Sequence, residues 1–572
     1  MSLPRLLFAV CCAGLIAMVA PPPAVADAKA MLVGGHLPVC SSMSPGQCRG
    51  RAHFSAQARQ ADQFQLDLYG LERWSQAAPD YFSEQQIAHW TVFLKALSQR
   101  HRRPMTRSEF RHRVLDSEFA DGTGQTRQGH ALYEALDDRQ WQHLLDHFQL
   151  PVTQDEQVRL DQSANRSSIA IFEHFVALAA EHSERERPLI AVSTASSSDP
   201  YDALAFYLAV FEQAGADVVW LPLDAAVLAA RAHNECDQLA RHQAERLGRF
   251  NRDQVWATLY QAQQAFCDDP EAGLDIARQA DGLFLNGGDQ WLTLQAFLRS
   301  DGSPSPEWAV LQERLAAGQL ALGGTSAGAA VQSGPGMISN GTNAMALSQG
   351  ATASAPPERG CDRTGRCPPG LTADSLTWRP EGGLSSVPFA IVDTHFSERQ
   401  RQIRLTRLLH DSGQRYGIGV DETTAIVFRT LEDDQLAFAV IGEQAAWLLD
   451  TGLASNPPSQ DAPTFMTLMH RLPSGLSGVL RTDAPVSTSI DPWAITDLDQ
   501  PGCQRWPERN SFNQIIRSEH ASTTEIVMQC FLTTDGHWIG LETLAIASDN
   551  PPTRSQHFRF GLAPRQRAEA DE

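Results

Sequence analysis

The chain lacks any Cys-x-x-Cys pair and any cluster of cysteine and histidine at metal-ligand spacing, so no zinc site is expected. It is also short of positive charge. Forty-six Lys and Arg stand against 67 Asp and Glu, a formal net charge of −21. A nucleic-acid partner needs a basic face, so this balance argues against one. An acidic surface keeps a protein soluble and would draw in a cationic substrate. Long apolar runs are scarce too. One lies at the N-terminus, from Leu6 to Ala20, and no later stretch is long and apolar enough to span a bilayer.

That first run reads as a targeting segment. Arg5 supplies a short basic start, Pro21-Pro22-Pro23 ends any helix, and Ala24-Val25-Ala26 fits a small-x-small cleavage site before Asp27. Residues 1–26 are therefore expected to be a signal peptide. The mature form is expected to be exported, extracellular or periplasmic, and free of the membrane. Cysteine usage agrees. Cys11 and Cys12 fall in the signal, and the eight that remain are Cys40, Cys48, Cys236, Cys267, Cys361, Cys367, Cys503 and Cys530. An even number in an exported chain suggests disulfides. Spacing alone does not settle their connectivity. Nearest-neighbour pairing is the working expectation, because each pair would close one local loop.

The rest of the chain divides by rhythm. Ala30–Gly35 reads as a first strand ending in a glycine turn. From about residue 51 to 187 the pattern is helical, with apolar residues at three- and four-residue intervals in Phe64, Leu66, Leu68, Leu71 and Trp74, and in Ile87, Trp90, Phe93, Leu94 and Leu97. Strand-like alternation is scarce there, and the segment is read as a helical insertion. Short apolar strands and helices then alternate. The strands fall near Pro188–Ser193, Ala216–Leu221, Asp281–Asn286, Leu320–Thr325, Phe389–Asp393, Gly417–Glu422, Thr424–Phe428 and Leu436–Ile441. This pattern predicts an α/β fold with a parallel sheet covered by helices on both faces. Residues 354–383 read as a long loop or flap, and 398–410 as a helix rich in arginine. Residues 27–450 are taken as the body of the protein. Residues 451–572 are a C-terminal extension without the same rhythm, with strands such as Thr524–Leu532 and a disordered tail from Arg565.

The chemistry concentrates at Gly324-Thr-Ser-Ala-Gly328, between an apolar strand and small residues suited to a packed helix. Strand, tight turn and helix form the context of a nucleophile elbow, with Ser326 lifted above the sheet and the N–H of Ala327 aimed at a developing oxyanion. Acyl transfer by a serine also needs a base and an orienting acid. His395, just beyond a strand ending in Asp393, is the candidate base, at the same sheet edge as the elbow. Glu422 is preferred as the acid over Asp393 and Asp421, although spacing does not decide among them.

Four motifs together resemble the cyanophycinases: Gly-Thr-Ser-Ala-Gly-Ala at 324–329, Asn-Gly-Gly-Asp-Gln at 286–290, Asp-Thr-His-Phe-Ser-Glu-Arg at 393–399 and Gly-Ile-Gly-Val-Asp-Glu-Thr-Thr-Ala at 417–425. That family belongs with peptidase E among the S51 serine peptidases. Leu32-Val-Gly-Gly-x-Leu37 followed by Cys40-Ser-Ser resembles its secreted branch. The resemblance implies a flavodoxin-like sheet related to the class I glutamine amidotransferases. It also implies a Ser326–His395–Glu422 triad, with backbone N–H groups of Ala327 and Gly288 at the oxyanion. Gln290, Asp393 and Thr394 would lie at the substrate site, where Arg399 and Arg401 would hold aspartyl carboxylates. Thr394 stands where the family pattern has glutamine. No cofactor or metal is implied, and a homodimer is the assembly considered. The substrate would be cyanophycin, a poly-aspartate with arginine on each β-carboxyl, cleaved to β-Asp-Arg dipeptides. The alternatives are a peptidase for aspartyl dipeptides or other isopeptides, and a binding protein that kept the fold without the chemistry.

Overall fold

In the computed structural model five apolar runs pair as parallel neighbours. They are β1 (Lys29–Val33), β2 (Leu189–Ser193), β3 (Asp217–Leu221), β4 (Gly282–Leu285) and β5 (Ala321–Thr325), in the spatial order β3-β2-β4-β5-β1. The structure describes residues 29–120, 125–432, 434–452, 465–482, 504–505, 527–532, 538–544 and 556–563. The expected signal peptide, Cys503 and the tail from Arg565 lie outside these. Parallel strands need cover on both faces. On one side the helix Arg166–Ala180 sets Phe172 and Phe175 against Ile190, Val192 and Phe284. On the other, Leu294, Phe297, Trp308 and Leu311 pack with Leu283, Leu285 and Leu322. Gly323 in β5 is required by this contact, since a Cβ there would come within 2.5 Å of the Phe175 ring.

Seven further strands follow: β6 (Ala390–Thr394), β7 (Tyr416–Val420), β8 (Thr424–Glu432), β9 (Gln435–Gly442), β10 (Ala445–Asp450), β11 (Phe465–Pro473) and β12 (Ser477–Arg481). β8, β9 and β12 extend the first sheet antiparallel from β1, giving the order β12-β9-β8-β1-β5-β4-β2-β3. β6 and β7 do not join it. They pair in parallel with each other and open a second sheet, β6-β7-β10-β11, which the strands Gln556–Ala563, Trp538–Leu544, Val527–Leu532 and Gln504–Arg505 complete. The reason is local. The helix Gln402–Ser412 that joins β6 to β7 packs Leu405, Leu408 and Leu409 against Ile391, Leu449 and Met469 of the second sheet. His395 therefore approaches the elbow from a neighbouring sheet rather than along the same sheet edge.

The insertion has its own core, with Trp74, Trp90, Phe93, Phe110 and Leu144 wholly buried among the helices between Leu68 and Phe148. Its expected last portion behaves differently: the helix Arg166–Ala180 belongs to the first sheet, because its apolar face covers strands. Charge ties the insertion to the body. Arg252 has no exposed side chain, yet it pairs with Asp146 of the insertion at 3.1 Å and with Asp199 of the β2 loop at 2.6 Å.

Three disulfides close neighbouring cysteines: Cys40–Cys48, Cys236–Cys267 and Cys361–Cys367. The expected Cys503–Cys530 pair lies outside the residues whose side chains are described. The 354–383 segment is only partly a loop. The strand Leu376–Arg379 pairs with Met337–Asn340 on one side and Ala351–Ala353 on the other, and the Cys361–Cys367 turn docks on the insertion through Arg363 to Asp138 and Arg366 to Asp137. No helix among the described residues is long and apolar enough to cross a membrane.

Candidate active site

The two sheets meet at Gly34-Gly35, the turn that leaves β1. Register explains why. Val33 lies opposite Thr325 of β5 and Ala425 of β8, so the elbow and the start of β8 both emerge beside that turn. The carbonyl of Val33 accepts the N–H of Ser326 at 2.9 Å, and that of Gly34 accepts the N–H of His395 at 2.8 Å. Neither glycine tolerates a side chain. A Cβ on Gly34 would sit 2.0 Å from the Asp421 carbonyl oxygen, and one on Gly35 would sit 2.3 Å from Cε1 of His395. The imidazole thus lies flat against the turn.

Backbone strain gathers at the same place. Ser326 has φ 53° and ψ −114°, and His36, His395, Gln400 and Thr423 also have positive φ. For residues other than glycine, and most of all for β-branched threonine, such angles cost about 1–3 kcal/mol each and persist only where surroundings enforce them. Thr423 shows the enforcement: its N–H donates to Gly35 O at 2.9 Å, and its hydroxyl to His36 O at 2.8 Å. At the elbow, Gly324 and Gly328 leave no room for Cβ atoms, which would come within 2.2 Å of Gly328 O and 2.3 Å of Leu285 O.

These constraints bring three distant side chains into line. Oγ of Ser326 lies 2.8 Å from Nε2 of His395, and Nδ1 of His395 lies 2.7 Å from Oε1 of Glu422. Burial lowers the imidazole pKa from its ordinary value, and the nearby Arg399 and Arg401 act the same way against the opposing pull of Glu422. The hydrogen bond with His395 holds the Glu422 carboxyl below its usual range. The arrangement is a hydroxyl, a neutral imidazole and a carboxylate, each within hydrogen-bond reach of the next.

No family model matches the chain. The chain is 37% identical over 147 residues to a cyanophycinase of Trichormus variabilis, covering 26% of this chain and 39% of that protein. It is 31% identical over 176 residues to a cyanophycinase of Geminocystis herdmanii, covering 31% of this chain and 52% of that protein. Over such stretches the chain is cyanophycinase-like. It spans between about two-fifths and half the length of these curated relatives. A solved peptidase from an acI-B1 Actinobacterium aligns with 55% of this chain and 91% of its own, at 15% identity and a TM-score of 0.31.

The other candidates in this cyanophycinase-like chain fall into two groups. Ala327 follows the serine at the start of the short helix Ala327–Ala330, and Gly287 stands close enough that a Cβ on it would be 3.3 Å from Cβ of Ser326. Gly288, at φ 152°, is pressed against the carbonyl of Ser196. Gln290 is half-buried, and its amide donates to Ile338 O at 2.8 Å. Arg399 is exposed and acts on both His395 and Glu422.

Asp393, Thr394 and Asp421 face inward instead. Asp393 and Thr394 are 1% and 2% exposed. Burial works to raise the Asp393 carboxyl, but Arg404 and Arg401 outweigh it and hold it low. Arg404 grips that carboxylate at 2.6 and 2.7 Å, while Arg401 reaches it at 3.1 Å and Thr394 O at 2.6 Å. Both residues are turned to arginines inside the fold, where the expectation had them as substrate contacts. Asp421 is likewise taken up, accepting from the Ser397 N–H and the Trp447 indole. The arginine-rich helix starts later than its pattern suggests, at Gln402, because His395 and Gln400 turn the chain with positive φ. Arg399 therefore sits on a tight loop.

Three neighbours of the site were given no role in the sequence reading, although Asn286 and Glu398 lie within its motifs. Tyr207, its hydroxyl pushed up to about 12 by burial, meets the backbone N–H of Gly287. Asn286 carries Ser196 and Ser197 on its amide, at 3.0 and 2.7 Å. Glu398 lies beneath Glu422. Nothing in their spacing marks them, since each acts through a contact across the fold. Among the described residues the one grouping with metal-ligand proximity is Cys361, Asp362 and Cys367. Its two cysteines are joined in a disulfide, which leaves a single carboxylate.

Proposed function

We propose that this chain is an exported serine peptidase that hydrolyses cyanophycin to β-Asp-Arg dipeptides. The observation that carries this reading is the unbroken contact chain from Ser326 to His395 to Glu422, at 2.8 and 2.7 Å. Likeness to cyanophycinases supports the substrate. His395 takes the proton of Ser326 as Oγ attacks an aspartyl carbonyl, and Glu422 holds the Nδ1–H tautomer and stabilises the imidazolium. The tetrahedral oxyanion is met by the N–H groups of Ala327 and Gly288. The imidazolium then protonates the leaving amine. Water, activated by the same imidazole, releases the acyl group from Ser326. Arg399, with Arg401 behind it, supplies the positive field for aspartyl carboxylates.

The test is clearing of a cyanophycin suspension by the purified mature chain. Ser326→Ala is expected to abolish clearing and to leave the melting temperature unchanged. Clearing by that variant at the wild-type rate would overturn the reading.

A further inference from the structure

A second carboxyl lies under the orienting one. Glu398 stands in the loop between β6 and the helix Gln402–Ser412. Its Oε2 accepts the backbone N–H of Glu422 at 3.2 Å, and its Oε1 lies 2.6 Å from the amide of Gln444, at the entry to β10. The two contacts join three segments: the β6 loop, the turn after β7 and the β9–β10 connection. That turn is the strained one, with Thr423 at positive φ, so it holds its shape only while its neighbours do.

We propose that Glu398 is a positioning residue for the site, pinning the backbone of Glu422 and through it the orientation of the His395 imidazole. This rests on the reading of His395 and Glu422 as base and orienting acid. Glu398 does not touch the serine or the imidazole; it acts on the turn that carries their partner.

The charges around it dictate how it does so. From the turn, Asp421 and Glu422 face it with two carboxylates, and Asp421 is wholly buried. On its own loop the charged neighbours are His395 and Arg399, which face Glu422 from the other side, as His36 does from the β1 turn. The β10 side offers Gln444, which is neutral. Three ionised carboxylates grouped there would repel one another. Burial, with Asp421 next, pushes the Glu398 carboxyl up to about 8, so it carries a proton at neutral pH. That proton needs an acceptor. The oxygen and nitrogen of a glutamine amide exchange places without changing its shape, and 2.6 Å is short for N–H···O but ordinary for O–H···O. With the Gln444 amide turned, Glu398 donates to its carbonyl and still accepts from the Glu422 N–H.

The test compares the full chain with Glu398→Gln and Glu398→Ala. The first readout is the far-downfield proton signal of His395 Nδ1–H, which reports the imidazole–Glu422 bond without turnover. The second is the rate at which a fluorophosphonate labels Ser326. At neutral pH, Glu398→Gln keeps the signal and the wild-type labelling rate, because its amide still accepts the Glu422 N–H. Glu398→Ala loses the signal and labels on the order of tenfold to a hundredfold more slowly, the scale of a displaced catalytic group. Raising the pH through about 8 weakens the wild-type signal and leaves that of Glu398→Gln in place. An unchanged signal in Glu398→Ala, or the same alkaline loss in Glu398→Gln, overturns the proposal. A signal that behaves as expected in a chain whose serine is never labelled leaves the positioning intact and removes the peptidase reading instead.

Discussion

Gly35 does for the imidazole what no motif records. At φ 110°, with room for a Cβ only where Cε1 of His395 already lies, it is a position where a single methyl group moves the base. Gly35→Ala is therefore expected to cut turnover about a hundredfold, as a displacement near 1 Å does. The same change costs roughly 1–3 kcal/mol in stability from overpacking. Parallel kinetic and thermal measurements separate the two effects, and full activity in that variant would contradict the packing of His395. The pH dependence follows from the same residue. Burial makes the imidazole titrate below its ordinary value, so it gives up its proton at lower pH than a free histidine. Labelling of Ser326 should rise with pH, with the midpoint of that rise below the ordinary histidine value of about 6.5. Glu422 works in the opposite direction, since its hydrogen bond favours the imidazolium. Glu422→Gln should move the acid limb to lower pH while slowing labelling a thousandfold or more, the order seen when an orienting carboxylate becomes an amide. An acid limb above pH 7 in the wild type would contradict the assignment. Ser326 and His395 stand out in the sequence because each follows an apolar strand, whereas Glu422 is set apart from Asp393 and Asp421 only by the motif resemblance. A carboxylate beside a candidate base looks the same in sequence whether it faces a cleft or, as Asp393 does, a buried arginine.

At the scale of elements, the parallel strands were legible because burial on both faces makes each one a short apolar run. Membership of a sheet was not. β6 and β7 are short buried apolar runs like β2 and β4, and the packing of Leu405, Leu408 and Leu409 places them in the second sheet. The junction between insertion and body was equally silent, because it is made by isolated residues: single charges, and Phe250 against Tyr81 and His143. Arg252 is its centre, wholly buried between Asp146 and Asp199, with its Nε donating to Phe250 O at 2.8 Å. Removing one partner from a buried pair costs about 3–5 kcal/mol, because the remaining charge is left without compensation. Arg252→Ala takes the ion pair from buried Asp199 and leaves Asp146 with Arg249 at 3.2 Å. It is expected to lower the unfolding free energy by about that much, or to release the insertion in a separate early transition, followed by tryptophan fluorescence in urea. Trp74 and Trp90 in the insertion core make that transition visible. A single transition at the wild-type midpoint would show that the insertion is held by other means.

For the whole molecule, the loss of rhythm after residue 450 suggested an appendage, yet the later chain is woven into both sheets. β12 lies on the edge of the first sheet beside β9, with Leu480 opposite Leu436. β11 covers β10 in the second, with Met469 opposite Leu449, and is followed by Gln556–Ala563. β11 interrupts its apolar residues with Thr467 and His470, both buried, so this weaving left no continuous apolar run in the sequence. It makes the C-terminal part a condition of folding. Leu468, Met469, Leu472 and Leu480 are each no more than 9% exposed. At about 1.5–3 kcal/mol per buried apolar side chain, their loss alone removes about 6–12 kcal/mol, comparable to the 5–15 kcal/mol that holds a typical domain together. Truncation would also bare the backbone edges of β9 and β10, which invite pairing between molecules. A chain ending at Asp450 keeps Ser326, His395 and Glu422, yet it is expected to elute as aggregate in size-exclusion chromatography and to resist labelling by a fluorophosphonate. A soluble, labelled monomer of that length would mean that the two sheets close without the strands that now complete them.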